Sequence, residues 1–406
     1  MSHMVLSGGH FYLVPTNHTR ALSEALPAWG LPWLDRRVKG LSRKQPRDPS
    51  QATLVTTSHG LPLHLFQHTH WTALQHVIVH ALGRHRQRTH NARLASVCVV
   101  AAPPGGACEA WEELCPGRPL AVIDHVDLDD KNWKWCPTLW GAQSCRNSST
   151  LLLRVVGAPA VFNRRLGLRG CQRTISMPWL SHVRSPDPAY VPRERGVRVA
   201  FAAGVAGHSD AQRRGYEAWR RELRNACIKL RNASKCSRTY QSLQGGMARA
   251  AVELYSNSVF CLQPPGDTLP RAGIVDAISV GCIPVFLHAA QRDLWPLHWD
   301  ASKSSKLYDW QSTRHCSRRP GRCNASGLIL DLLSTPDAEV RALQAAVAHS
   351  AQRMYYRGEL GEQGVPDAID VLVRHLLMDR TPRTPGRREG EKRTLPTFGA
   401  ERARWT

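Results

Sequence analysis

Two features are missing from this chain of 406 residues: closely paired cysteines and long apolar runs. None of its 12 cysteines stands in a CxxC pair, which argues against a zinc ribbon or a zinc finger. Its longest apolar stretches, such as the one that begins at Leu94, fall short of the roughly 20 residues that a membrane-spanning helix requires. The first residues also lack the basic start and the apolar core of a signal peptide. We therefore expect neither a zinc module nor a membrane anchor within this sequence.

The scattered cysteines leave two interpretations, buried thiols or disulfides formed in an oxidising compartment, and we favour disulfides. The loop that holds Cys316 and Cys323 is typical of a disulfide pair. N-glycosylation takes place in the secretory lumen, so four Asn-x-Ser/Thr sequons point the same way, at Asn17, Asn147, Asn232 and Asn324. Since no targeting segment is visible, the protein is either cytosolic or lacks its N-terminal segment in this sequence.

The chain is strongly basic, with 54 Lys and Arg against 32 Asp and Glu and a net charge of +22. Such an excess favours anionic partners, which include nucleic acid, nucleotide phosphates, acidic polysaccharide and an acidic membrane surface. A hydrophobic fraction of 42% with 21% charged residues is ordinary for a globular protein and excludes a fibrous or wholly disordered chain. The basic tail from Arg380 to Thr406 is too polar to fold, and we predict that it is disordered.

Short β-branched runs alternate with helical stretches, which is typical of α/β architectures with parallel sheets. In the first half we predict a helix in ALQHVIVHALG and strands in HFYLVP, TLVTTS, SVCVVAA, PLAVIDHV, TLLLRVV and RTISMPW. In the second half, RVAFAAG predicts a strand that ends at Gly204, followed by a helix over 211–232. The remaining predictions are a helix over 247–256, a helix that stops at Gly281, a long helix from Pro336, and strands in SVFCLQP, CIPVFL and LILDLL.

The segment 258–286 is the most informative part of the sequence, because it combines a strand, a Pro-Gly-Asp loop, a helix and a second strand. Ligands of open α/β sheets bind at the carboxyl ends of the strands, so the loop after Leu262 is a candidate anion site. There Gly266 permits close backbone approach, and Arg271 at the helix N-terminus can add bidentate phosphate contacts. Asp276 lies about 140° round the helix from Arg271 and could reach a sugar or ribose hydroxyl. The alternative is a simple turn with solvated charges.

The same residues resemble a known family. The run from Tyr255 through FCLQPPGD to GCIPV is similar to the exostosin-type glycosyltransferases, which carry an FCL-x-P-x-GD loop, an arginine, an aspartate and GCIPV in that order. The Arg-rich helix with Cys227 and Cys236 resembles the family's strand–helix–cysteine stretch. GGHFYLVPTNH, RTISMPWLSH and the helix ending in RMYY resemble further family segments. This chain departs from the family pattern at Pro270, where a small hydroxyl residue is usual, and at Gly9 in the first strand.

The resemblance implies a GT-B-like α/β fold, in which two Rossmann-like domains face a cleft. We accordingly expect an acceptor-side domain over 1–192, a nucleotide-sugar-binding domain over 193–345, closing helices over 346–379, and the disordered basic tail over 380–406. The stretch 108–171 matches nothing in the family pattern.

The resemblance also implies an activity, the inverting transfer of a sugar from a nucleotide-sugar, with UDP-sugar as the expected donor, to a glycan or glycoprotein acceptor. We expect the Golgi lumen as its compartment, no bound metal and no cofactor, and membrane contact only through an anchor absent from this sequence. The residues implied in donor binding are Gly204, Ser258, Gly266, Asp267, Arg271, Asp276 and Gly281.

An acceptor hydroxyl needs a general base, and the first domain should supply it. Our first candidate is His10, and the others are His18, Asp124 and Asp127. Asp127-Leu128-Asp129 also has the DxD form that holds Mn²⁺ in transferases of another fold, but we interpret it as a solvated acidic turn. Two alternatives stay open: a basic nucleic-acid-binding protein, which no known nucleic-acid motif supports, and an inactive glycan-binding protein of the same fold.

Overall fold

The computed structural model describes residues 9–15, 70–101, 115–116, 118–123, 151–154, 173–179, 181, 195–203, 211–230, 236–239, 246–265, 269–309, 324–356 and 366–378. The predicted tail over 380–406, the strand in TLVTTS, the domain boundary at 192 and the loop with Cys316 and Cys323 all lie outside these residues.

The first half of the chain forms a six-stranded parallel sheet. Its strands are β1 (Phe11–Leu13), β2 (Arg88–Thr89), β3 (Val97–Ala101), β4 (Leu120–Ile123), β5 (Leu151–Arg154) and β6 (Arg173–Ser176). They lie in the order β2-β1-β3-β4-β5-β6, and every pair is parallel. Helix α1 (His70–Arg84) precedes β2, as the apolar spacing of ALQHVIVHALG predicts.

The second half forms a five-stranded parallel sheet. Its strands are β7 (Val197–Ala202), β8 (Cys236–Thr239), β9 (Ser258–Gln263), β10 (Ile283–Phe286) and β11 (Lys306–Leu307), in the order β11-β10-β9-β7-β8. Helices α2 (Ala211–Lys229), α3 (Gly246–Ser256), α4 (Ala272–Ser279) and α5 (Ala301–Ser304) lie between these strands along the chain. Three helices follow: α6 (Ala325–Leu333), α7 (Asp337–Ala351) and α8 (Ala368–Met378).

Both sheets reverse their strand order at the first strand. In each one, the strand that comes second in the sheet lies on one side of the first, and the third lies on the other side. This is the order of doubly wound Rossmann-like units, which place their ligands where the order reverses. The predicted α/β class with two Rossmann-like units, as in GT-B-like chains, is confirmed.

Alternating strand residues build a core on each face of the second sheet. Val199 and Phe201 on β7 pack with Phe260 and Leu262 on β9 in the larger core, whereas Ala200, Ala202 and Cys261 face α3 and α4. Helix α2 adds Trp219, Leu223, Ala226 and Cys227 to the larger core, the helical spacing that the sequence predicts.

One predicted strand is wrong. The run LILDLL is not a strand but most of helix α6, in which Leu328, Ile329 and Leu332 are buried. These positions are one and four residues apart, which is the spacing of a helix face rather than of a strand. Asn324 supplies the missing start signal, because its side chain accepts a hydrogen bond from the backbone N–H of Gly327 and so caps the helix.

The last described helix, α8, packs against the first unit. Apolar residues of α8, from Ala368 to Leu377, pack in one core with residues of β1, β3 and α1. Asp370 on α8 lies 3.1 Å from Nε2 of His85, just after α1. The tyrosine hydroxyl of Tyr356 donates to the carbonyl oxygen of Pro178, which follows β6. The last described helix is therefore held against the first unit rather than against the sheet that precedes it in sequence.

Candidate functional site

The strand order of the second sheet reverses between β7 and β9, so a ligand is expected beside their carboxyl ends. Residues Phe201 and Leu262 pair in register there, and Gln263 on β9 pairs with Phe286 on β10. We call this side of the sheet the carboxyl edge. The loop after Gln263, which the sequence marks as a candidate anion site, begins at this edge.

Two arginines donate to the loop from different helices. Arg271, which precedes α4, donates from Nη1 to the carbonyl oxygen of Pro264 at 2.7 Å. Arg220 on α2 is buried, and its Nε and Nη2 donate to the carbonyl oxygen of Pro265 at 2.9 and 2.6 Å. Guanidinium groups stay charged at all physiological pH values, so two fixed positive charges lie beside this loop.

Helix α4 points its N-terminus at the same place. Arg271 is its N-cap residue, in an extended conformation and without a side-chain hydrogen bond to the cap. The first turn of a helix leaves backbone N–H groups without intrahelical partners, and the helix dipole makes that end positive. The helix end and the two arginines therefore form an electropositive edge that favours a phosphate or diphosphate.

A buried polar network lies beneath the loop. Nε2 of Gln263 donates to the hydroxyl of Tyr255 at 3.2 Å and to the carbonyl oxygen of Gly273 at 3.0 Å. The Tyr255 hydroxyl donates to the carbonyl oxygen of Ala202 at the end of β7. Burial raises the pKa of Tyr255 to about 12, so the hydroxyl is neutral at physiological pH and can donate. This network ties β7, β9 and the start of α4 together.

A side chain at Gly273 would crowd this packing. A Cβ atom at this position would lie 3.2 Å from Oε1 of Gln263 and 3.5 Å from the Tyr255 hydroxyl. The absence of a side chain thus lets the first turn of α4 approach the end of β9 closely. The sequence alone does not show that the space around Gly273 is this narrow.

Gln291 and His288, which both follow β10, also lie at the carboxyl edge. Nε2 of Gln291, a buried residue, donates to the carbonyl oxygens of Gln263 and Leu269, so it holds both sides of the loop. His288 accepts a hydrogen bond from the backbone N–H of Ala290 at Nδ1, which places its ring proton on Nε2 when it is neutral. Burial lowers the pKa of His288 below its ordinary value of 6.5 and so favours that neutral form.

The structure places two predicted donor residues at the opposite end of the sheet. Ser258 is the first residue of β9, and its hydroxyl donates to the carbonyl oxygen of Leu254. A strand of this length spans about 17 to 20 Å, so Ser258 lies far from the loop. Gly281 follows α4 with a positive φ of 70°, and its N–H and that of Cys282 donate to Ile278 and Ala277. This Schellman arrangement ends the helix.

Asp276 points to the linker between the two sheets. Its Oδ1 accepts a hydrogen bond from the hydroxyl of Ser181 at 2.8 Å, and the side chain is 2% exposed. Asp276 lies about 6 Å along the α4 axis from the first residue of that helix, towards the amino ends of the strands. Asp276 is therefore hydrogen-bonded to the linker. In addition to burial, its charge raises the pKa of Tyr255, whereas the charge of Arg271 lowers it.

His10 also lies away from the carboxyl ends of its sheet. It directly precedes β1, its side chain is exposed, and its carbonyl oxygen accepts from the N–H of Ser96 before β3. The other candidate bases His18, Asp124 and Asp127 lie outside the described residues. So do Gly204, Gly266 and Asp267, which follow the described Ala203 and Pro265 in sequence.

Disulfides are present, as the scattered cysteines predict. Cys98 is bonded to Cys115 beside the first sheet, and Cys261 on β9 is bonded to Cys282 before β10. Within the described part of the chain, no three His, Cys, Asp or Glu side chains are grouped as a metal site would require. The described helices include none with the length and apolar character needed to cross a bilayer.

Fold and site together define a doubly wound α/β protein with an electropositive edge. Residues 163–306, which include this edge, match the Exostosin GT47 domain. Over 130 residues the chain is 29% identical to the probable xyloglucan galactosyltransferase GT15 of Arabidopsis thaliana, covering 31% of this chain and 26% of that protein. It is 30% identical over 129 residues to the xyloglucan galactosyltransferase MUR3 of Arabidopsis thaliana, covering 31% of this chain and 20% of that protein. The resemblance to exostosin-type glycosyltransferases is confirmed for this segment.

The matching region spans about a quarter of the length of the first of these curated relatives and a fifth of the second. Among solved structures, the chain is similar to the pneumococcal O-GlcNAc transferase GtfA in complex with UDP and GlcNAc, with a TM-score of 0.32 and 12% identity. That match covers 63% of this chain and 53% of GtfA. The fold described above follows from the strand order of the two sheets and does not depend on this likeness.

Arg220, Gln291 and His288 are the residues that the sequence does not single out. Arg220 is one of several arginines on α2, and only the fold shows which of them turns inward to the loop. His288 offers a usable signal, because a histidine two residues after a buried strand lies at the carboxyl edge of a parallel sheet.

Proposed function

We propose that the chain is a glycosyltransferase that moves a sugar from a nucleoside diphosphate donor, with UDP-sugar as the first choice, to a glycan or glycoprotein acceptor. The observation that carries this proposal is the match of residues 163–306 to the Exostosin GT47 domain, which includes the loop contacted by Arg271. Arg220 on the neighbouring helix contacts the same loop.

The electropositive edge supports the proposal that the donor's diphosphate binds there. Sugar transfer breaks the bond between the anomeric carbon and the diphosphate, so negative charge grows on the departing diphosphate. The N-terminus of α4 and the guanidinium groups of Arg271 and Arg220 would stabilise that charge. Because these groups are positioned before the donor binds, they would need little reorganisation during the reaction.

The buried network would fix the shape of this site. Tyr255, Gln263 and Gly273 hold the end of β9 against the start of α4, and Gln291 holds the loop from the β10 side. His288 follows β10, and its Nδ1 accepts the N–H of Ala290, so it would help to fix the backbone on this side of the edge.

Inversion of the anomeric centre is the stereochemistry that the family resemblance implies. In that reaction the acceptor hydroxyl attacks from the face opposite the diphosphate, and a base on the acceptor side takes its proton. His10 remains our first candidate by resemblance, although it lies at the amino end of β1. His18, Asp124 and Asp127 remain the other candidates.

We propose that no metal takes part, because the helix terminus and the arginines supply the positive charge that a metal would otherwise bring. The Golgi lumen is the proposed compartment. The disulfides Cys98–Cys115 and Cys261–Cys282 support an oxidising compartment of this kind.

A donor panel tests the proposal. The purified chain would be incubated with UDP-galactose, UDP-glucose, UDP-N-acetylglucosamine, UDP-glucuronic acid and GDP-sugars, with oligosaccharide acceptors, and release of the nucleoside diphosphate would be measured. We expect acceptor-dependent release of UDP that survives EDTA. Nucleotide binding without release of UDP from any donor would support the inactive glycan-binding alternative. No binding of any nucleotide by the folded chain would contradict the donor site itself.

A further inference from the structure

Asn324 is both the first residue of a sequon and the cap of a helix. It begins Asn-Ala-Ser, directly before α6, and its side chain is exposed. Its Oδ1 accepts the N–H of Gly327 at 2.8 Å. The other three sequons, at Asn17, Asn147 and Asn232, lie outside the described residues. We infer that Asn324 is an N-glycosylation site whose glycan is carried on Nδ2 while Oδ1 continues to cap α6.

The two roles use different atoms of one amide group. A helix N-cap needs a side-chain oxygen that accepts a backbone N–H, and the cap at Asn324 uses only Oδ1. N-glycosylation substitutes one of the two hydrogens on Nδ2 and leaves the carbonyl oxygen with its acceptor lone pairs. The folded helix can therefore keep its cap with the glycan attached.

Asn324 is exposed, and it directly precedes the buried residues of α6. Its neighbour Ala325 is buried in the larger core of the second unit, and Leu328 and Ile329 follow it there. These residues form the buried face of α6, whereas the cap residue Asn324 is exposed at the end of the helix. A bulky, hydrophilic group on Nδ2 would extend into solvent without displacing the core.

The disulfides support a compartment in which this modification occurs. Cys261 and Cys282 are bonded to each other, as are Cys98 and Cys115, and Cys227 is also disulfide-bonded. Stable disulfides form along the secretory route, which is also where sequons are glycosylated. This support is independent of the proposed transferase activity.

The reaction is a group transfer to the amide nitrogen. A new bond forms between Nδ2 of Asn324 and the anomeric carbon of an oligosaccharide, and the bond from that carbon to a lipid diphosphate breaks. The lipid diphosphate leaves with the bonding electron pair, and the amide proton passes to a base of the host oligosaccharide-transferring enzyme. The glycan donor and that enzyme belong to the host secretory pathway.

The test uses the full chain behind a secretion signal in a eukaryotic host, with Ser326→Ala and Ser326→Thr as matched variants. Both variants change the same half-buried residue in the first turn of α6, and both keep the Asn324 cap. Only Ser326→Ala removes the sequon hydroxyl. The peptide that contains position 324 would be mapped by mass spectrometry before and after peptide N-glycosidase treatment.

We expect a glycan at position 324 in the wild type and in Ser326→Thr, and none in Ser326→Ala. Asn324→Asp, which keeps an acceptor oxygen for the cap, should also lack the glycan. An unmodified Asn324 in secreted wild-type protein with the Cys261–Cys282 bond intact would overturn the inference. A glycan that persists in Ser326→Ala would overturn it as well. Translation with microsomes gives the same comparison for any variant that the host does not secrete.

Discussion

Arg220 and Arg271 belong to different helices but donate to the carbonyl oxygens of consecutive residues, Pro265 and Pro264. Their side chains converge on the loop after β9, at the point where the strand order of the second sheet reverses. Two fixed positive charges beside one loop favour an anionic ligand there. The proposed donor site depends on this pair.

Replacement of the buried Arg220 should lower both the stability of the protein and its affinity for UDP. In Arg220→Ala the carbonyl oxygen of Pro265 loses its two donors, and a charge-assisted hydrogen bond is worth about 1.5 to 3 kcal/mol. We expect a lower thermal midpoint and roughly tenfold weaker UDP binding, in line with about 1.4 kcal/mol. Calorimetric titration with UDP and thermal unfolding measure the two effects.

Arg221→Ala is the matched control, because Arg221 is the next residue on α2 and is exposed. It removes the same charge without touching the loop, so both properties should stay close to those of the wild type. If Arg221→Ala weakened UDP binding as much as Arg220→Ala, net charge rather than the loop contact would explain the effect.

Gly281→Ala should affect stability and not donor binding. Gly281 has a φ of 70°, a left-handed conformation that costs a residue with a Cβ about 1 to 2 kcal/mol. We expect a lower free energy of unfolding in urea and an unchanged UDP dissociation constant. Gly281→Asn should lose less stability, because asparagine tolerates this conformation better. Weaker UDP binding at an unchanged stability would instead place Gly281 in the donor pocket.

Asp276 could either anchor the linker through Ser181 or contact the donor, and variants of the two residues distinguish these roles. If Asp276 only anchors the linker, Asp276→Asn and Ser181→Ala should lower the thermal midpoint by similar amounts and leave the affinity for UDP-sugar unchanged. If Asp276 contacts the ribose or the sugar, Asp276→Asn alone should weaken binding. Because the carboxylate is buried and bonded to Ser181, we expect the first result. Titration of both variants with UDP and UDP-sugar decides between them.

His298 should make the protein sensitive to acid. Burial lowers its pKa from 6.5 to about 3, and the nearby His375 and Arg353 act in the same direction. Below pH 6.5 this histidine is therefore protonated in the unfolded chain but stays neutral in the folded chain. The free energy of unfolding consequently falls as the pH drops towards 3. The slope can reach about 1.4 kcal/mol per pH unit.

His298→Gln should flatten that slope, which urea unfolding at several pH values below 6.5 would measure. The control is His349→Gln, since His349 is exposed on α7. The slope of this control should match that of the wild type. An equally steep slope in His298→Gln would show that other groups cause the acid sensitivity.

The sequence predicts the elements of this fold well wherever periodicity and boundary signals agree. Strands β3, β7, β9 and β10 and helices α2 and α7 lie where their apolar patterns place them. The strand prediction for LILDLL was wrong because a short apolar run fits either a strand or a helix. Only the Asn324 cap favours the helix.

The site is harder to predict, because proximity in sequence is not proximity at one edge of a sheet. Arg271 lies at the carboxyl edge, whereas Ser258, in the same segment, lies at the other end of β9. Arg220 contributes from a helix that precedes the loop by more than thirty residues, and its contact with Pro265 arises from the packing of α2 on the sheet. Spacing along the chain carries no information about such a contact.

The most direct test of the donor site is the titration of UDP into the wild type, Arg271→Ala and Arg221→Ala by isothermal calorimetry. We predict that UDP binds the wild type and Arg221→Ala with the same affinity, and that Arg271→Ala binds at least about tenfold more weakly, the effect of losing about 1.4 kcal/mol. Equal UDP affinity in the wild type and in a folded Arg271→Ala variant would contradict a donor site at this loop.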